Sequence, residues 1–289
     1  MKKAVVIGAL GFVGYGLCCR LLDEGVLIEA MDLPPCDNSL EEEKILQIGR
    51  NANFRFIDMN IEDRYEQLSS DTDVIFFSLL DLNDNVEGSD ALQRKVATEA
   101  ELVKAIQACG QSEKSKIVII SSTELNEERK QGKSPIEQVV KDYVQSLPVH
   151  YSIIRLPMIY GPWQPNDRCF QRAINAEINN EEFVICSGDY SNDILYIDDA
   201  VNEIIKIVKE PEVIRTATLS SGMSNLWIEG LKLILKGKFE DLETERVEFD
   251  KRNENTSSKN NVRVAKTTSL SDGITNQYEY AKWLSNYNK

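Results

Sequence analysis

Short apolar runs alternate with amphipathic stretches along most of the chain, a pattern typical of α/β proteins with a parallel sheet. Apolar runs predict six strands, at residues 4–7, 26–31, 54–58, 73–79, 116–121 and 151–156. Helices with one apolar face are predicted at residues 10–22, 40–48, 89–109, 134–146 and 198–208. This alternation predicts an α/β fold with a doubly wound parallel sheet.

The first apolar run leads directly into glycines at positions 8, 11 and 14, and Asp32 closes the second run. A buried strand that ends in so bare a turn lets the next helix aim its N-terminal amides at a pyrophosphate. Gly8 allows the turn, Gly11 the close approach, and Gly14 the packing of helix on strand. Asp32 is placed to accept hydrogen bonds from an adenosine ribose. Since its charge disfavours a 2′-phosphate, NAD is favoured over NADP.

Two other interpretations of this segment stay open. Glycines at such spacing also occur by chance, so the triplet alone does not define a nucleotide site. The start Met1-Lys2-Lys3, followed by an apolar stretch to Cys19, also has the charge and length of a signal peptide. Against the signal peptide, no small-residue cleavage site follows, and the stretch continues as a helix with one apolar face.

The composition limits which binding partners and which cellular compartment are expected. The 289 residues carry a net charge of −14, which repels nucleic acid and anionic membrane surfaces, so neither is expected as a partner. After its start the chain has no apolar stretch of about 20 residues, the length that crosses a bilayer. Six cysteines without a Cys-x-x-Cys pair, and a single histidine, predict no metal site and fit reduced thiols in the cytoplasm.

Five further motifs follow the glycine segment in a fixed order: Asp58-Met59, Ile119-Ile120-Ser121-Ser122-Thr123, Arg155-Leu156-Pro157-Met158-Ile159-Tyr160-Gly161-Pro162, Asp193-Ile194-Leu195-Tyr196-Ile197-Asp198-Asp199 and Thr268-Ser269-Leu270-Ser271-Asp272-Gly273-Ile274. With these motifs, nearly the whole chain resembles the extended short-chain dehydrogenase/reductase family, which includes nucleotide-sugar epimerases and dehydratases. One such motif is weak evidence, but six in the family's order indicate its fold.

The resemblance implies a Rossmann domain that binds NAD, formed by residues 1–157 plus 192–216. A smaller, discontinuous substrate lobe is expected from residues 158–191 plus 217–289. A homodimer and a small-molecule substrate of the sugar or nucleotide-sugar class are also implied. The expected cofactor-binding residues are Gly8, Gly11, Phe12, Val13, Gly14, Asp32, Asp58, Met59, Leu79 and Pro157.

In that family a tyrosine and a lysine one helical turn apart transfer the proton, while a serine or threonine holds the substrate oxygen. Between Thr123 and the sixth strand there is no Tyr-x-x-x-Lys, so we expect an atypical member lacking this motif. Counting back from the sixth strand puts Arg129 and Lys133 in the two slots, whereas counting from the predicted helix start gives Ile136 and Val140. Arginine cannot act as a base in proteins. Thr123 and Lys133 are therefore the catalytic candidates.

Two departures from the family concern the substrate. Met158 replaces an asparagine, and Asn192 replaces an arginine, at positions where nucleotide-sugar members usually contact the diphosphate. Losing a cation and an amide there weakens the case for a nucleotide sugar, because the phosphates lose charge-assisted hydrogen bonds. The acidic run at residues 124–128 stays open as a source of a replacement base or as a solvated surface.

The remaining candidates have structural interpretations. His150 precedes the sixth strand and is expected at the sheet edge away from the cofactor. Tyr160 and Tyr196 are expected to pack around the domain junction, with the alternative that either phenol reaches the cleft. Asp198 and Asp199 are expected to cap a helix. The substrate-side segment also contains three residues that line either an apolar pocket or its core: Trp163, Cys169 and Phe170.

The leading interpretation is an NAD-dependent oxidoreductase, similar to epimerases and dehydratases, that acts on an alcohol carbon of a sugar or related small molecule. Thr123 orients the substrate oxygen, and the proton-transfer residue is non-standard. The alternative is an NAD(P)-binding sensor or regulatory protein without turnover, which the missing tyrosine favours. The glycine and Ser121-Ser122-Thr123 motifs fit both interpretations, so turnover itself stays open.

Overall fold

The chain divides into two compact units: the first takes Met1–Arg155 and Ile204–Ala217, and the second Leu156–Glu203 and Thr218–Lys289. The computed structural model describes residues 1–37, 39–59, 71–78, 104, 115–123, 150–186, 189–212, 214–239, 260–265 and 267–287.

The first unit is built on a parallel sheet. Its strands are β1 (Lys3–Ile7), β2 (Leu27–Asp32), β3 (Phe54–Asp58), β4 (Val74–Ser78), β5 (Lys116–Ser122) and β6 (His150–Leu156). They are ordered β3-β2-β1-β4-β5-β6. The strand next to β6 is β9 (Thr216–Ser220), whose first residues belong to this unit. Just before β9, the Arg215 carbonyl accepts a hydrogen bond from the Ile153 N–H at 3.0 Å. The direction of strand addition reverses between β1 and β4, as in a doubly wound sheet.

The core lies in the central strands of this sheet. Residues 4–6 of β1, 75–77 of β4 and 117–120 of β5 are at most 1% exposed. Strands covered on both faces read as continuous apolar runs rather than alternating ones, which is why the sequence signalled them clearly. The two described helices of this sheet are α1 (Phe12–Asp23) and α2 (Leu40–Ile48).

The second unit combines short strands with helices. Its strands are β7 (Met158–Tyr160), β8 (Ile194–Tyr196), β9 (Thr216–Ser220) and β10 (Asn261–Arg263), with β7 parallel to β8 and β9 parallel to β10. Its helices are α3 (Cys169–Asn179), α4 (Ile197–Lys209), α5 (Leu226–Leu235) and α6 (Leu270–Tyr287), and a 3-10 turn spans Lys236–Phe239. Helix α4 and strand β9 each begin in one unit and end in the other.

Predicted and observed elements differ in a few places. Helix α1 begins two residues later than predicted, at Phe12, because Gly8–Gly11 form the turn. The turn-rich exit predicted after the sixth strand contains β7, whose three residues are too few to produce an alternating pattern. The helices predicted at 89–109 and 134–146 lie outside the described residues, apart from Lys104, which is helical.

Candidate cofactor-binding site

A tight turn carries the chain from β1 into α1 at the edge where the parallel strands end. Gly8 adopts a φ of +76°, a left-handed conformation that residues with a Cβ disfavour. Its N–H donates to the Met31 carbonyl at 3.0 Å, and the Gly11 N–H donates to the Gly8 carbonyl at 3.2 Å. These bonds fix the turn against β2 before the helix begins.

The first turn of α1 leaves its amides open. Gly11 is the N-cap residue and has extended backbone angles, and within the described part of the chain no side chain caps this helix end. Uncapped N–H groups and the helix dipole both favour an anion. The amides of Phe12 and Val13, next to the bare backbone of Gly11, therefore offer a site for a phosphate or pyrophosphate.

Close packing requires two of the glycines. A Cβ on Gly14 would lie 1.9 Å from the Gly8 carbonyl oxygen, and a Cβ on Gly8 would lie 2.8 Å from the Ser78 carbonyl oxygen. Both distances are shorter than van der Waals contact, so a larger residue would force α1 off β1 or part β1 from β4. The bare backbone of this turn fits the close approach of a dinucleotide.

Asp32 ends β2 beside the turn. Its Oδ2 accepts a hydrogen bond from the Leu10 N–H and its Oδ1 from the Leu33 N–H, each at 2.8 Å. Burial raises the pKa of Asp32 above its ordinary value, and these two amides partly offset the rise. Because each carboxylate oxygen can accept more than one hydrogen bond, Asp32 can still accept bonds from ribose hydroxyls.

Lys44 on α2 belongs to the same arrangement, and sequence reasoning missed it. Its side chain is buried, and Nζ donates to the Leu10 carbonyl at 2.5 Å and lies 5.7 Å from the centroid of the Tyr15 ring. The backbone of Leu10 is thus held on both sides, by Asp32 at its N–H and by Lys44 at its C=O. The ammonium also opposes the rise in the pKa of Asp32. One feature of the sequence could have indicated its burial: Lys44 lies four residues after Leu40, on the same face of the predicted helix.

Other predicted residues reach the same edge of the sheet. Asp58 lies opposite Asp32 in the β2–β3 register, and the Met59 N–H donates to the Asp32 carbonyl at 2.9 Å. Thr123 follows β5 and is half-buried. Since all these strands are parallel, their carboxyl ends place Asp32, Asp58 and Thr123 at one edge.

Three other predicted residues lie outside the described part of the first unit. Leu79 and Lys133 lie outside the described residues, as do the alternative slots at 129, 136 and 140. Pro157 follows β6 and belongs to the second unit.

The tyrosine candidates pack inside the second unit. The Tyr160 ring lies edge-on at 5.6 Å from the rings of both Phe170 and Tyr196. A Cβ on Gly273 would lie 2.8 Å from the Tyr160 hydroxyl, so this phenol is tightly enclosed. Burial raises the pKa of Tyr160 well above that of a free tyrosine, which suits a core residue better than a base. The Tyr196 hydroxyl accepts a hydrogen bond from Asn276 at 3.3 Å.

The remaining candidates of the second unit take structural positions there. Cys169 is buried at the start of α3, and Trp163 has a φ of +72° with its ring 4.6 Å from that of Tyr280. The Asp199 carboxylate accepts hydrogen bonds from Thr267 and Thr268. Asp198 and Asp199 both lie in the first turn of α4, where the helix dipole favours a carboxylate, and Asp199 also joins this helix start to residues 267 and 268.

The chain carries one Tyr-x-x-x-Lys spacing outside the expected segment, at Tyr278 and Lys282 of α6. The Lys282 Nζ lies 4.9 Å from the centroid of the Tyr278 ring and 3.7 Å from a Glu279 carboxylate oxygen. Lys282 is about half exposed. This pair is an intrahelical surface contact, and the matching spacing indicates no proton-transfer site.

No helix in the described part of the chain has both the length and the apolar character to cross a membrane.

Comparison with known proteins gives three kinds of similarity. The model of the NAD dependent epimerase/dehydratase family matches residues 4–218. YtcB of Bacillus subtilis (strain 168), an uncharacterized UDP-glucose epimerase, is 25% identical over 312 residues and is covered to 98%, as is this chain. The UDP-glucuronic acid 4-epimerase from Bacillus cereus, crystallised with NAD, is 22% identical with a TM-score of 0.75, covering 98% of this chain and 99% of its own.

A dehydratase has a similar structure. TunA, an NAD-dependent NDP-hexosamine 5,6-dehydratase, is 17% identical with a TM-score of 0.68, covering 99% of this chain and 98% of its own. Both structural matches concern the fold, and they confirm the predicted doubly wound parallel sheet.

Proposed function

The chain belongs to the NAD dependent epimerase/dehydratase family, and on that premise we propose that it oxidises an alcohol carbon of a sugar with NAD as hydride acceptor. Membership of this group and NAD as the cofactor were both expected from the sequence, and the family match confirms them. When bound, NAD supplies the redox chemistry, and the protein supplies binding and orientation.

The observation that carries the proposal is the turn between β1 and α1. A left-handed Gly8, the uncapped amides of α1 and the Asp32 carboxylate lie within one short segment. In the proposed complex these amides hold the pyrophosphate and Asp32 accepts from the adenosine ribose. Asp58 and Met59 flank the adenine. Leu79 and Pro157 complete the proposed cofactor contacts.

Thr123 is the proposed partner of the substrate oxygen. It follows β5 at the carboxyl edge of the sheet, where open α/β sheets place their chemistry. Its hydroxyl can donate to or accept from the reacting alcohol and so fix its orientation. Lys133 is the second proposed catalytic residue, since an ammonium near the reacting oxygen favours loss of its proton.

The sugar class is supported by the names of the relatives, among them the UDP-glucose epimerase YtcB and a probable UDP-glucuronate 4-epimerase of Rhizobium meliloti (strain 1021). Met158 and Asn192 stand against a diphosphate, because neither supplies a cation. We therefore propose a sugar substrate, and the comparison of UDP-sugars with free sugars tests whether the sugar must carry a nucleotide.

The second candidate is an NAD-binding protein without turnover. The stretch between Thr123 and β6 has no Tyr-x-x-x-Lys, and the Tyr160 phenol in the second unit is enclosed in its core. This combination favours a sensor in which the retained Asp32 and glycine turn serve binding alone.

Calorimetry with NAD and NADP tests the shared premise. We expect the protein to bind NAD more tightly than NADP, and Asp32→Ala to weaken NAD binding by about tenfold or more, the value of one or two charge-assisted hydrogen bonds. Asp23→Ala, an exposed aspartate at the end of α1, is the matched control and should leave NAD affinity unchanged. Absence of NAD binding by the unaltered protein would remove both candidates.

A turnover assay separates the two candidates. Absorbance at 340 nm and analysis of the sugar products are followed with UDP-glucose, UDP-glucuronate, the corresponding free sugars and small alcohols. Product analysis is needed because a hydride that is removed and returned leaves no net absorbance. A changed sugar supports the enzyme, whereas tight NAD binding without any product supports the sensor.

A further inference from the structure

Two free cysteines in the described part of the chain, Cys169 and Cys186, belong to one cluster of side chains in the second unit. Cys169 is the first residue of α3 and is 4% exposed, whereas Cys186 follows that helix in the sequence and is exposed. The proposed function gives neither thiol a role. An accessible thiol beside a second cysteine is the arrangement in which an oxidised sulfur is converted to a disulfide by its neighbour.

Arg172 connects the two cysteines. It lies three residues after Cys169 and therefore on the same side of α3. Its Nη2 donates to the Val184 carbonyl at 2.8 Å and to the Asp189 Oδ2 at 2.9 Å. The Cys186 sulfur lies 4.0 Å from that same Val184 oxygen, and the Cys186 N–H donates to that same Asp189 oxygen at 2.6 Å. Cys186 is thus held beside the side of the helix that carries Cys169.

The charges of the cluster act on both the buried thiol and the arginine. Burial raises the pKa of the Cys169 thiol, and Asp189 raises it further. Arg172 opposes this rise, and Cys186 adds to it. Burial opposes the charge of Arg172, but Asp189 and then Cys186 raise its pKa above that of a free arginine. Both sulfurs therefore lie within electrostatic range of one guanidinium and of each other.

The other described cysteines lack this arrangement. Cys18 and Cys19 are consecutive residues of α1, and consecutive residues of a helix do not face each other. Cys36 is exposed like Cys186, but it belongs to the first unit. Cys36 is therefore a suitable reference for an accessible thiol outside the cluster.

We propose that a peroxide oxidises Cys186 and that Cys169 then forms a reversible disulfide with it. In the first step the Cys186 sulfur attacks hydrogen peroxide: an S–O bond forms, the O–O bond breaks, and the leaving hydroxide takes the thiol proton to become water. In the second step the Cys169 sulfur attacks the Cys186 sulfur: an S–S bond forms, the S–O bond breaks, and the leaving hydroxide takes the Cys169 proton. Two thiols lose two electrons, and one peroxide is reduced to two waters.

The test exposes the full chain, first reduced and then freed of reductant, to hydrogen peroxide and analyses its alkylated peptides by mass spectrometry. We expect a linked pair of peptides that carries Cys169 and Cys186, lighter by two hydrogens than the reduced peptides, and lost after treatment with dithiothreitol. In Cys169→Ala this pair should be absent, and a sulfenic acid on Cys186 should accumulate as its dimedone adduct. In Cys186→Ser, Cys169 should stay reduced because it is buried.

Cys36→Ser is the matched control, and its yield of the linked pair should equal that of the unaltered protein. The inference is overturned if peroxide oxidises neither cysteine, or if Cys186 proceeds to sulfinic acid while Cys169 stays reduced. Equal amounts of Cys36–Cys186 and Cys169–Cys186 peptides also overturn it, because the fold would then not direct the pairing. So does a dimer linked through Cys186 on a non-reducing gel. NAD binding is measured separately by calorimetry, so these outcomes leave the proposed function intact.

Discussion

At the scale of single residues, the Asp32 carboxylate and the Lys44 ammonium both bind the backbone of Leu10, in the turn between β1 and α1. Asp32 accepts from its N–H and Lys44 donates to its carbonyl, so both backbone polar groups of one residue are fixed by side chains of different elements. Hydrogen bonds to charged groups are stronger than neutral ones. The conformation of the turn is therefore stabilised by an aspartate from β2 and a lysine from α2.

Replacing Lys44 tests whether its side chain stabilises the turn. Lys44→Met nearly keeps the length of the side chain but removes its donor, which deprives the Leu10 carbonyl of this bond and removes one cation near Asp32. We expect a loss of about 1–3 kcal/mol in the free energy of unfolding and about fivefold weaker NAD binding. Urea unfolding and calorimetry measure the two effects.

The control for Lys44 is Lys209→Met. Lys209 pairs with Glu24 at 2.6 Å but is 45% exposed, and exposed ion pairs contribute little stability. NAD affinity should not change in this variant. Equal NAD affinities of the two methionine variants would contradict the role of Lys44 in the turn.

The raised pKa of Asp32 predicts how NAD binding depends on pH. In the proposed complex the ribose hydroxyls donate to the ionised Asp32 carboxylate, so binding would favour loss of its proton, and NAD affinity should fall as pH drops through the pKa. Because burial raises this pKa, the fall should begin at a higher pH than for an ordinary aspartate, whose pKa is about 3.9. Titrations from pH 8 to pH 5 measure it. Asp32→Asn should bind NAD weakly with a flatter pH profile, and an unchanged profile would refute the assignment.

Sequence alone predicted the residues of the turn whose chemistry depends on backbone shape. Gly8 and Gly14 are recognisable because only a glycine meets the left-handed angle of one and the close contact of the other. Lys44 was not predicted, because a lysine in a charged helix usually faces water. Its burial depends on packing between elements that are distant in sequence.

At the scale of elements, the contact of α1 with β1 depends on a position without a side chain. Gly14→Ala would put a Cβ 1.9 Å from the Gly8 carbonyl oxygen, and backbone at such a distance cannot yield as a flexible side chain can. We expect a loss of about 3 kcal/mol or more in the free energy of unfolding, together with loss of NAD binding. Chemical denaturation and calorimetry measure both.

Gly237→Ala is the matched control for that change, because a Cβ at Gly237 would have no atom within 4 Å. Its stability and NAD affinity should match those of the unaltered protein. A Gly14→Ala protein as stable as this control would show that α1 moves away from β1 without penalty.

Elements whose first and last residues are recognisable in the sequence were predicted with the correct bounds. Helix α2 covers residues 40–48 as expected, since Ser39 caps it by accepting from the Glu42 N–H at 3.2 Å. Strand β3 likewise matches its predicted range, 54–58. The short strands β7 and β8 left no comparable signal, because three residues cannot show a period and their pairing joins positions 36 residues apart, Met158 and Ile194.

At the scale of the whole molecule, the second unit has a buried polar network of its own. The side chain of Gln277, which is fully buried, accepts from the Gly161 N–H at 3.0 Å and donates to Gln164 at 2.7 Å and to Gln171 at 3.0 Å. Satisfied networks of this kind fix one arrangement of the elements they join. Here the joined elements are α3, α6 and the turn after β7.

Gln277→Ala should remove about 2–4 kcal/mol from the stability of the second unit, because three buried polar groups lose a partner and a cavity is left. Tryptophan fluorescence reports this unit selectively, since all three tryptophans, Trp163, Trp227 and Trp283, belong to it. During urea unfolding the fluorescence midpoint should fall. Glu279→Ala, an exposed change on the same helix, should leave it in place, and equal midpoints of the two variants would contradict the role of the network.

The division of the chain has a consequence for anyone who wishes to dissect the protein. The first unit needs residues 204–217 as well as residues 1–155. Within it, the Lys116 ammonium donates to the carbonyls of Val208 and Glu210, and Ile153 bonds to Arg215. A fragment that stops at Arg155 gives up all three attachments, so a coenzyme-binding piece cannot be obtained by simple truncation. A workable minimal version must splice the later segment back on through a designed linker.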